Sequence, residues 1–491
     1  MPQGGASVVA RGWGWRHAGR RAWALDGVDL RIDPGERVLL LGTSGSGKST
    51  LLAGLAGVLG DADEGEEHGE LLVAGVPARE ARGRVGLVLQ DPESQVVMSR
   101  VGDEVAFGCE NLGLPRDEIW RRVAEALDAV GLRVPLEHPT ESLSGGQKQR
   151  LALACVLAMR PGLILLDEPT ANLDPDGVAE VRDAVARLAA TSDATLVVVE
   201  HRVAVWRDLA PRVVALEAGG AVIADGPTDR VLAREGARLA ERGVWVPGRE
   251  PRVPAVVPAA GAPLLTTAEL TIARGGRPGR DGRARGGVVV RSGIDLDVAE
   301  GEALAIGGAN GSGKSTLALT LAGLLPPADG EVRAEPALAD GLAPSPIRWR
   351  SRELLPRIGT VFQSPEHQFV ATTVRDELLV GPRALRDPRA DETVDELLDV
   401  LGLTALGAAH PFTLSGGQQR RLSVGTALAT SPRLLVLDEP TFGQDARTWR
   451  GLVSLLNAAR ARGRALVVVT HDPLLPDALG ARRLILEGTA A

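Results

Sequence analysis

Short apolar runs recur along the chain between longer polar and amphipathic stretches, and their order is the same in both halves. In the first half such runs include Arg37–Leu41, Leu163–Leu166 and Thr195–Val199. Apolar runs of about 4–8 residues predict strands that are buried on both faces, and the stretches between them have helical spacing. The pattern therefore predicts an α/β fold built on mainly parallel sheets.

The two halves are copies of one plan. Leu143–Asp174 and Leu414–Asp445, aligned without a gap, match at 17 of 32 positions. Self-similarity of this degree, with every motif in the same order, indicates a duplicated domain. We predict a first domain over residues 1–246, a linker over 247–263 and a second domain over 264–491.

The linker prediction rests on proline. Prolines at five positions disfavour helix and central strand, so we expect a semi-extended segment: Pro247, Pro251, Pro254, Pro258 and Pro263. In the second half we expect a flexible hairpin tip over Arg274–Arg285, which is rich in Gly and Arg. We expect a solvated loop over Pro336–Pro346, because the first half has no counterpart of this composition.

Composition narrows the function classes. The chain has 491 residues, 44% of them hydrophobic, and a net charge of −8, which disfavours a nucleic-acid partner. No apolar run approaches the roughly 18 residues that cross a bilayer, so we expect a cytoplasmic protein. Cys109, in a predicted loop, and Cys155, in a predicted helix, are expected to be free thiols.

Each half contains a phosphate-binding loop between a strand and a helix. Its glycines let successive backbone N–H groups converge, and the helix N-terminus adds partial positive charge. Lys48 and Lys314 are placed to reach the β- and γ-phosphates, and Ser49 and Ser315 to bind Mg²⁺. The expected ATP-binding residues are Gly42, Thr43, Ser44, Gly45, Ser46, Gly47, Lys48, Ser49 and Thr50, with Gly308, Ala309, Asn310, Gly311, Ser312, Gly313, Lys314, Ser315 and Thr316.

A later strand in each half ends in an Asp-Glu pair, which beside a phosphate loop indicates a nucleoside triphosphatase. Asp167 and Asp438 are predicted to lie on the Mg²⁺ side, directly or through water. Glu168 and Glu439 are candidate general bases that polarise the attacking water.

Two further polar residues recur in each half. His201 and His471 follow a β-branched strand, 33 and 32 residues after the glutamate, and are expected to hold the water in line. Gln90 and Gln363 end another strand, at the sheet edge where α/β proteins meet their ligands. We assign both glutamines to the catalytic and to the metal-binding residues.

The motif Leu-Ser-Gly-Gly-Gln stands at Leu143–Gln147 and again at Leu414–Gln418. With these motifs the halves resemble nucleotide-binding domains of the ATP-binding cassette superfamily, to which this signature is highly specific. The resemblance covers nearly the whole chain outside the linker. It implies two tandem domains, each with a mainly parallel sheet core, an antiparallel β subdomain and a helical signature subdomain.

The resemblance also implies a pairing of the halves. In that superfamily two domains associate head to tail, and each ATP lies between the phosphate loop of one and the signature of the other. Carried onto this chain, the loop of Lys48 works with Ser415, Gly416, Gly417 and Gln418, and the loop of Lys314 with Ser144, Gly145, Gly146 and Gln147. ATP would then close the halves and hydrolysis would release them.

The segments after the two glutamines resemble one group of ATPases within this superfamily. Gln90–Gln95, Val101–Gly108 and, more loosely, Gln363–Gln368 resemble the ATPases of energy-coupling factor importers, including the cobalt and nickel branch. This implies docking to an integral membrane T component, which carries a substrate-binding S component. It also implies a place at the cytoplasmic face of the membrane and uptake of a vitamin or a transition-metal ion.

The chain departs from the family in how it holds the base. The family commonly has a tyrosine near the first strand for adenine stacking, and this chain has no tyrosine. Trp15 or His17 can replace it in the first half, although a turn with a partly buried tryptophan explains the same residues. The second half has no aromatic residue in the matching stretch, Leu270–Arg274.

Two other functions compete with an importer ATPase. Soluble twin-cassette proteins that act on ribosomes join their cassettes by a long charged helical linker, whereas this linker is proline-rich. Sugar-importer twin cassettes usually have one degenerate catalytic half, whereas both glutamates and both histidines are present here.

Overall fold

The protein is described by a computed structural model that covers residues 4–43, 45–60, 64–170, 173, 175–259, 261–279 and 282–487. The chain divides into two compact units, Met1–Glu250 with Asp445–Arg447, and Pro251–Gln444 with Thr448–Ala491. Residues 251–259 and 261–262 contain no helix or strand. The domain limits at 246 and 264 stay predictions.

The first unit contains ten strands and seven helices among its described residues. The strands are β1 (Val8–His17), β2 (Leu25–Ile32), β3 (Arg37–Gly42), β4 (Gly65–Val73), β5 (Val76–Pro77), β6 (Val85–Val88), β7 (Leu163–Asp167), β8 (Thr195–Val199), β9 (Arg212–Leu216) and β10 (Val222–Pro227). The helices are α1 (Lys48–Leu55), α2 (Val101–Asn111), α3 (Arg116–Ala129), α4 (Gly145–Met159), α5 (Pro175–Thr191), α6 (Val203–Trp206) and α7 (Thr228–Glu241), and short 3-10 helices span Ala78–Ala81, Pro92–Gln95 and Thr140–Ser142.

These strands form two sheets. An antiparallel sheet has the order β2-β1-β4-β5, and a six-stranded sheet has the order β10-β9-β3-β8-β7-β6. All neighbours in the larger sheet are parallel except β9 and β10. Strands β7 and β8 are buried at every residue, because one core lies on each face of the sheet.

The second unit repeats this plan. Its strands are β11 (Pro263–Arg274), β12 (Arg277–Pro278), β13 (Ala284–Arg285), β14 (Val288–Ile294), β15 (Asp297–Ala299), β16 (Ala303–Gly308), β17 (Asp329–Ala334), β18 (Ile358–Val361), β19 (Leu434–Asp438), β20 (Ala465–Val469) and β21 (Arg482–Leu486). Its helices are α8 (Lys314–Leu321), α9 (Pro336–Ala339), α10 (Ser351–Leu354), α11 (Val374–Leu385), α12 (Ala390–Val400), α13 (Gly416–Ala429), α14 (Ala446–Ala461) and α15 (Leu475–Leu479), with 3-10 helices at Pro346–Arg348, Pro365–Gln368, Thr404–Leu406 and Pro411–Thr413.

The core sheet of the second unit is fully parallel, with the order β18-β19-β20-β16-β21. Strand β11 pairs antiparallel with β14, β15 and β17. The predicted fold class is therefore confirmed: each unit has a mainly parallel core, an antiparallel β subdomain and a group of helices that includes the signature helix.

Three local predictions can be compared with the structure. The hairpin over Arg274–Arg285 is confirmed, since β12 pairs antiparallel with β13. The loop predicted around Cys109 is wrong, because this residue lies in α2 with its side chain buried in the core of the first unit. The solvated loop over Pro336–Pro346 is also wrong: α9 forms there, and Leu338 joins the core.

No helix within the described ranges is both long enough and apolar enough to cross a membrane.

Candidate ATP site

The two phosphate-binding loops have glycines with left-handed backbone angles at two matching positions. Gly45 and Gly47 have positive φ angles, 80° and 86°, and so do Gly311 and Gly313, at 82° and 95°. A side chain would strain these positions, so glycine lets the loop curl before the helix starts. Helices α1 and α8 then begin at Lys48 and Lys314. The loop therefore presents a helix N-terminus, as anion binding requires. Ser44 lies outside the described residues.

The loop lysines are held inside their own loops. Lys48 Nζ donates to the carbonyl oxygens of Gly42 and Thr43, both at 2.9 Å. Lys314 Nζ donates to those of Gly308 and Ala309, at 2.7 and 2.8 Å. Burial lowers the pKa of Lys48. A buried ammonium group gains from an anion beside it, which is the role expected of a phosphate.

The first aspartate of each Asp-Glu pair faces the loop serine. Asp167 accepts a hydrogen bond from Ser49, and Asp438 accepts one from Ser315. Burial raises the pKa of Asp167 to about 6 and raises that of Asp438. Asp167 Oδ1 is buried without a hydrogen-bond partner. These oxygens suit Mg²⁺, which proteins bind through one or two carboxylates and the phosphates of the substrate.

The part of the chain that the structure describes contains no group of three or more His, Cys, Asp or Glu side chains that could hold a metal ion by themselves.

The glutamates follow their aspartates with left-handed backbone angles, φ 46° at Glu168 and 50° at Glu439. Such angles cost a non-glycine residue about 1–3 kcal/mol and occur mostly at functional sites. The backbone N–H of each glutamate donates to the last residue of the neighbouring strand, Val199 or Val469, at 2.9 Å. The strain therefore recurs at the two residues predicted to be general bases.

Glu168 is held by two side chains that were predicted to act with it. His201 Nε2 lies 2.7 Å from Glu168 Oε1, and Gln90 Nε2 donates to Glu168 Oε2 at 2.8 Å. Burial alone would raise the pKa of Glu168, but the charge and hydrogen bond of His201 outweigh it and keep this pKa below its usual value. The first half thus brings the predicted glutamate, histidine and glutamine together.

The second half arranges the same residue types differently. His471 Nε2 lies 3.9 Å from Glu439 Oε1, and this oxygen instead accepts the backbone N–H of His471 at 2.9 Å. Burial, followed by the charge of Asp438, raises the pKa of Glu439 to about 8. Gln363 is exposed, and in the described residues no hydrogen bond joins its side chain to Glu439.

The cause of this difference is the residue before each histidine. In the first half Glu200 accepts the backbone N–H of His201 at 3.0 Å, which leaves the ring of His201 to Glu168. Thr470 stands at the same place in the second half and is too short for that bond. Its hydroxyl instead lies 3.5 Å from Glu439 Oε2.

Both signatures begin a helix. Ser144 and Ser415 are the N-caps of α4 and α13, and Gln147 and Gln418 complete a capping box in each. A Cβ at Gly145 or Gly416 would meet no atom within 4 Å. The first N–H groups of both helices are therefore open to an incoming anion. Gly146 and Gly417 follow in the first turn of each helix.

Two residues were predicted to stack on adenine, and the structure excludes one of them. Trp15 is 1% exposed and packs in the core of the antiparallel sheet, so its ring offers no face to a base, and this prediction is wrong. His17 is exposed, and its Nε2 lies 3.4 Å from Thr50 Oγ1, beside the phosphate loop. His17 stays a prediction.

One buried residue near the second site was not predicted. Arg420 lies in α13, 5% exposed, where the matching residue of the first half is Gln149. The sequence contains this difference: in the repeat that matches at 17 of 32 positions, the second copy has arginine where the first has glutamine.

Comparisons with known proteins agree with this geometry. The family model described as "ABC transporter" matches residues 25–171 and 292–442, which include both phosphate loops, both signatures and both Asp-Glu pairs. This chain belongs to the ABC transporter family. It is therefore an ABC ATPase with two cassettes.

Relatives align along almost the whole chain. "Putative HMP/thiamine import ATP-binding protein YkoD" of Bacillus subtilis is 35% identical over 493 residues, covering 94% of this chain and 86% of its own. A "Putative ABC transporter ATP-binding protein" of Streptomyces avermitilis is 36% identical, covering 94% and 88%. Both alignments therefore span the two cassettes of this ABC ATPase.

A solved structure supports the fold alone. The archaeal ribosome recycling factor aABCE1, solved with a ribosomal stalk protein, is 22% identical with a TM-score of 0.62, covering 96% of this chain and 87% of its own.

Proposed function

We propose that this ABC ATPase energises a membrane importer of the energy-coupling factor type, for a vitamin or a transition-metal ion. The observation that carries the proposal is a pair of exposed valines on braced loops, one after each of Gln90 and Gln363. Val97 is 66% exposed and Val370 is 77% exposed. Exposed apolar side chains in matching places of two domains suit the apolar faces of partner helices.

The loops that carry these valines are rigidly held. The buried Glu104 accepts the backbone N–H groups of Val97 and Met98, at 2.9 and 2.5 Å. The buried Glu377 accepts those of Val370 and Ala371, at 2.8 and 2.7 Å. A carboxylate with two such bonds fixes the loop, so the valine keeps its outward position. These contacts support a preformed docking surface in each half.

The name of the Bacillus subtilis relative, a putative HMP/thiamine import ATP-binding protein, supports import and favours a vitamin over a metal ion as the cargo. The T and S components remain part of the proposal. So does head-to-tail pairing of the halves, for which the open glycines Gly145 and Gly416 are suitable.

For hydrolysis we propose the roles that follow from the contacts. Lys48 and Lys314, with the N-termini of α1 and α8, bind the phosphates. Bound Mg²⁺ supplies charge neutralisation on the phosphate oxygens, and Ser49, Asp167, Ser315 and Asp438 are the side chains that would hold it. Glu168 and Glu439 accept the proton of the attacking water, while His201 and Gln90 keep Glu168 ionised and oriented.

The docking proposal is tested by placing a charge on the valines. Val97→Asp with Val370→Asp should abolish retention of the chain on washed membrane vesicles from the cells that make it, because a buried unpaired carboxylate is costly. The matched control is Val58→Asp with Val257→Asp, at valines of similar exposure, 61% and 79%. Both double variants should bind ATP normally.

Retention of both double variants on vesicles would contradict the docking surface. Sedimentation of the parent chain with ribosomes and not with vesicles would favour the competing ribosome-linked function. Glu104 is not a suitable target for charge reversal, since it braces the loop and its loss would unfold the segment. Uptake of labelled thiamine against labelled Co²⁺ in the same cells would then separate the two kinds of cargo.

A further inference from the structure

Arg420 is a buried cation beside the second Asp-Glu pair. It lies in the second turn of α13, and within the described ranges no carboxylate stands close enough to form an ion pair with it. A buried guanidinium is stable only where its donors are satisfied and opposite charge lies near. What Arg420 contacts therefore shows why it is tolerated in this place.

Its contacts join three segments of the second site. Nη1 donates to the carbonyl oxygen of Phe362, which precedes Gln363, at 3.0 Å. The same nitrogen lies 3.4 Å from the carbonyl oxygen of Asp438, in the peptide that leads to Glu439. The guanidinium also lies over the ring of Phe442, 5.8 Å from its centre. One side chain thus ties together the ends of β18 and β19 and the turn that follows β19.

Arg420 lies near the charges of the second Asp-Glu pair without forming an ion pair with either carboxylate. Glu439 and Asp438 are the two carboxylates whose charges most favour its protonated form, and burial opposes that form. The side chain of Gln363 does not bond Glu439, and Arg420 holds the strand ends on either side of this glutamate.

The first half shows the alternative. Gln149 occupies the matching position of α4, is buried, and its Nε2 has no hydrogen-bond partner. There Glu168 is held by His201 and Gln90 and needs no further support. The two halves thus hold their glutamates by different side chains.

We propose that Arg420 is a positioning residue of the second ATP site, which orients Glu439 by holding the strand ends around it, and that Gln149 has no such role in the first site. The proposal concerns ATP hydrolysis and does not depend on import. It predicts that hydrolysis, and not ATP binding, is sensitive to Arg420.

The test compares the same substitution in both halves. With Glu168→Gln blocking the first site, Arg420→Met should lower kcat about tenfold while KM and the equilibrium affinity for ATP change less than about twofold. With Glu439→Gln blocking the second site, the matched Gln149→Met should change kcat less than about twofold. Arg420→Lys, which keeps a charged donor, should recover at least about a third of the parent kcat.

Circular dichroism melting curves identify folded variants, and the kinetic comparison is made on those. An unchanged kcat in Arg420→Met, an equal loss of ATP affinity and kcat, or an equal loss from Gln149→Met would overturn the proposal. If Arg420→Met does not fold, Arg420→Gln decides, because it gives the second half the residue that the first half has at Gln149: a kcat lowered about fivefold or more with intact ATP binding supports the proposal, and an unchanged kcat overturns it.

Discussion

The unequal environments of Glu168 and Glu439 predict different pH dependence of hydrolysis at the two sites. Glu168→Gln leaves the second site as the source of turnover, and Glu439→Gln leaves the first. A general base acts only when it is ionised. Because burial raises the pKa of Glu439 to about 8 and His201 keeps that of Glu168 below its usual value, ionisation limits only the second site near neutral pH.

The magnitude follows from the pKa. With a pKa of about 8, about one Glu439 carboxyl in ten is ionised at pH 7 and about nine in ten at pH 9. We therefore expect kcat of Glu168→Gln to rise about tenfold from pH 7 to pH 9, and kcat of Glu439→Gln to stay within about twofold. Mg²⁺ near Asp438 lowers the midpoint of this rise, because a cation favours the ionised carboxylate, so the tenfold rise is an upper limit.

The assay is steady-state phosphate release at saturating Mg-ATP, from pH 6.5 to 9.5 at constant ionic strength. The ratio of the two variants at each pH removes the titration of ATP and Mg²⁺ themselves, and circular dichroism at each pH checks that both remain folded. Superimposable profiles, or a steeper rise in Glu439→Gln, would refute the reasoning from burial and hydrogen bonding.

Other predictions concern the base, the braces and the signature. His17→Ala should weaken ATP binding in a Lys314→Ala background by about 5- to 150-fold, the equivalent of about 1–3 kcal/mol for one stacking contact, and equilibrium titration that finds no loss there would remove His17 from the site. Glu104→Ala and Glu377→Ala should each free their loop and speed hydrogen exchange at Val97 or Val370, whereas the exposed Glu110→Ala serves as a control without effect on either loop. Ser144→Ala should cost about 1 kcal/mol of stability through loss of the N-cap, measured by chemical denaturation, and an unchanged midpoint would argue against the capping box.

The sequence predicts the parts of the site that depend on backbone. The phosphate loops, the strands ending in Asp167 and Asp438, and the helices beginning after Ser144 and Ser415 are all confirmed. Their signals are glycine spacing, apolar runs and caps, which act locally and are visible in the residues themselves.

Predictions fail where packing decides. Trp15 lies in β1 where the strand pairing shifts register, so the sequence does not tell which face of the sheet its ring joins. The composition of Pro336–Pro346 did not indicate the helical turn that forms there and buries Leu338. Identical Asp-Glu and His motifs hid unequal sites, because the difference lies in Thr470 for Glu200 and Arg420 for Gln149, outside the motifs themselves.

The most direct test of the account is Mg²⁺-dependent ATP turnover by the parent chain and by the double variant Glu168→Gln with Glu439→Gln. Loss of both general bases should lower kcat by about 10²–10⁴-fold while ATP binding persists, because Lys48, Lys314 and both loops are unchanged. Turnover by the double variant close to that of the parent would contradict the assignment of these glutamates and, with it, the catalytic site described for both halves.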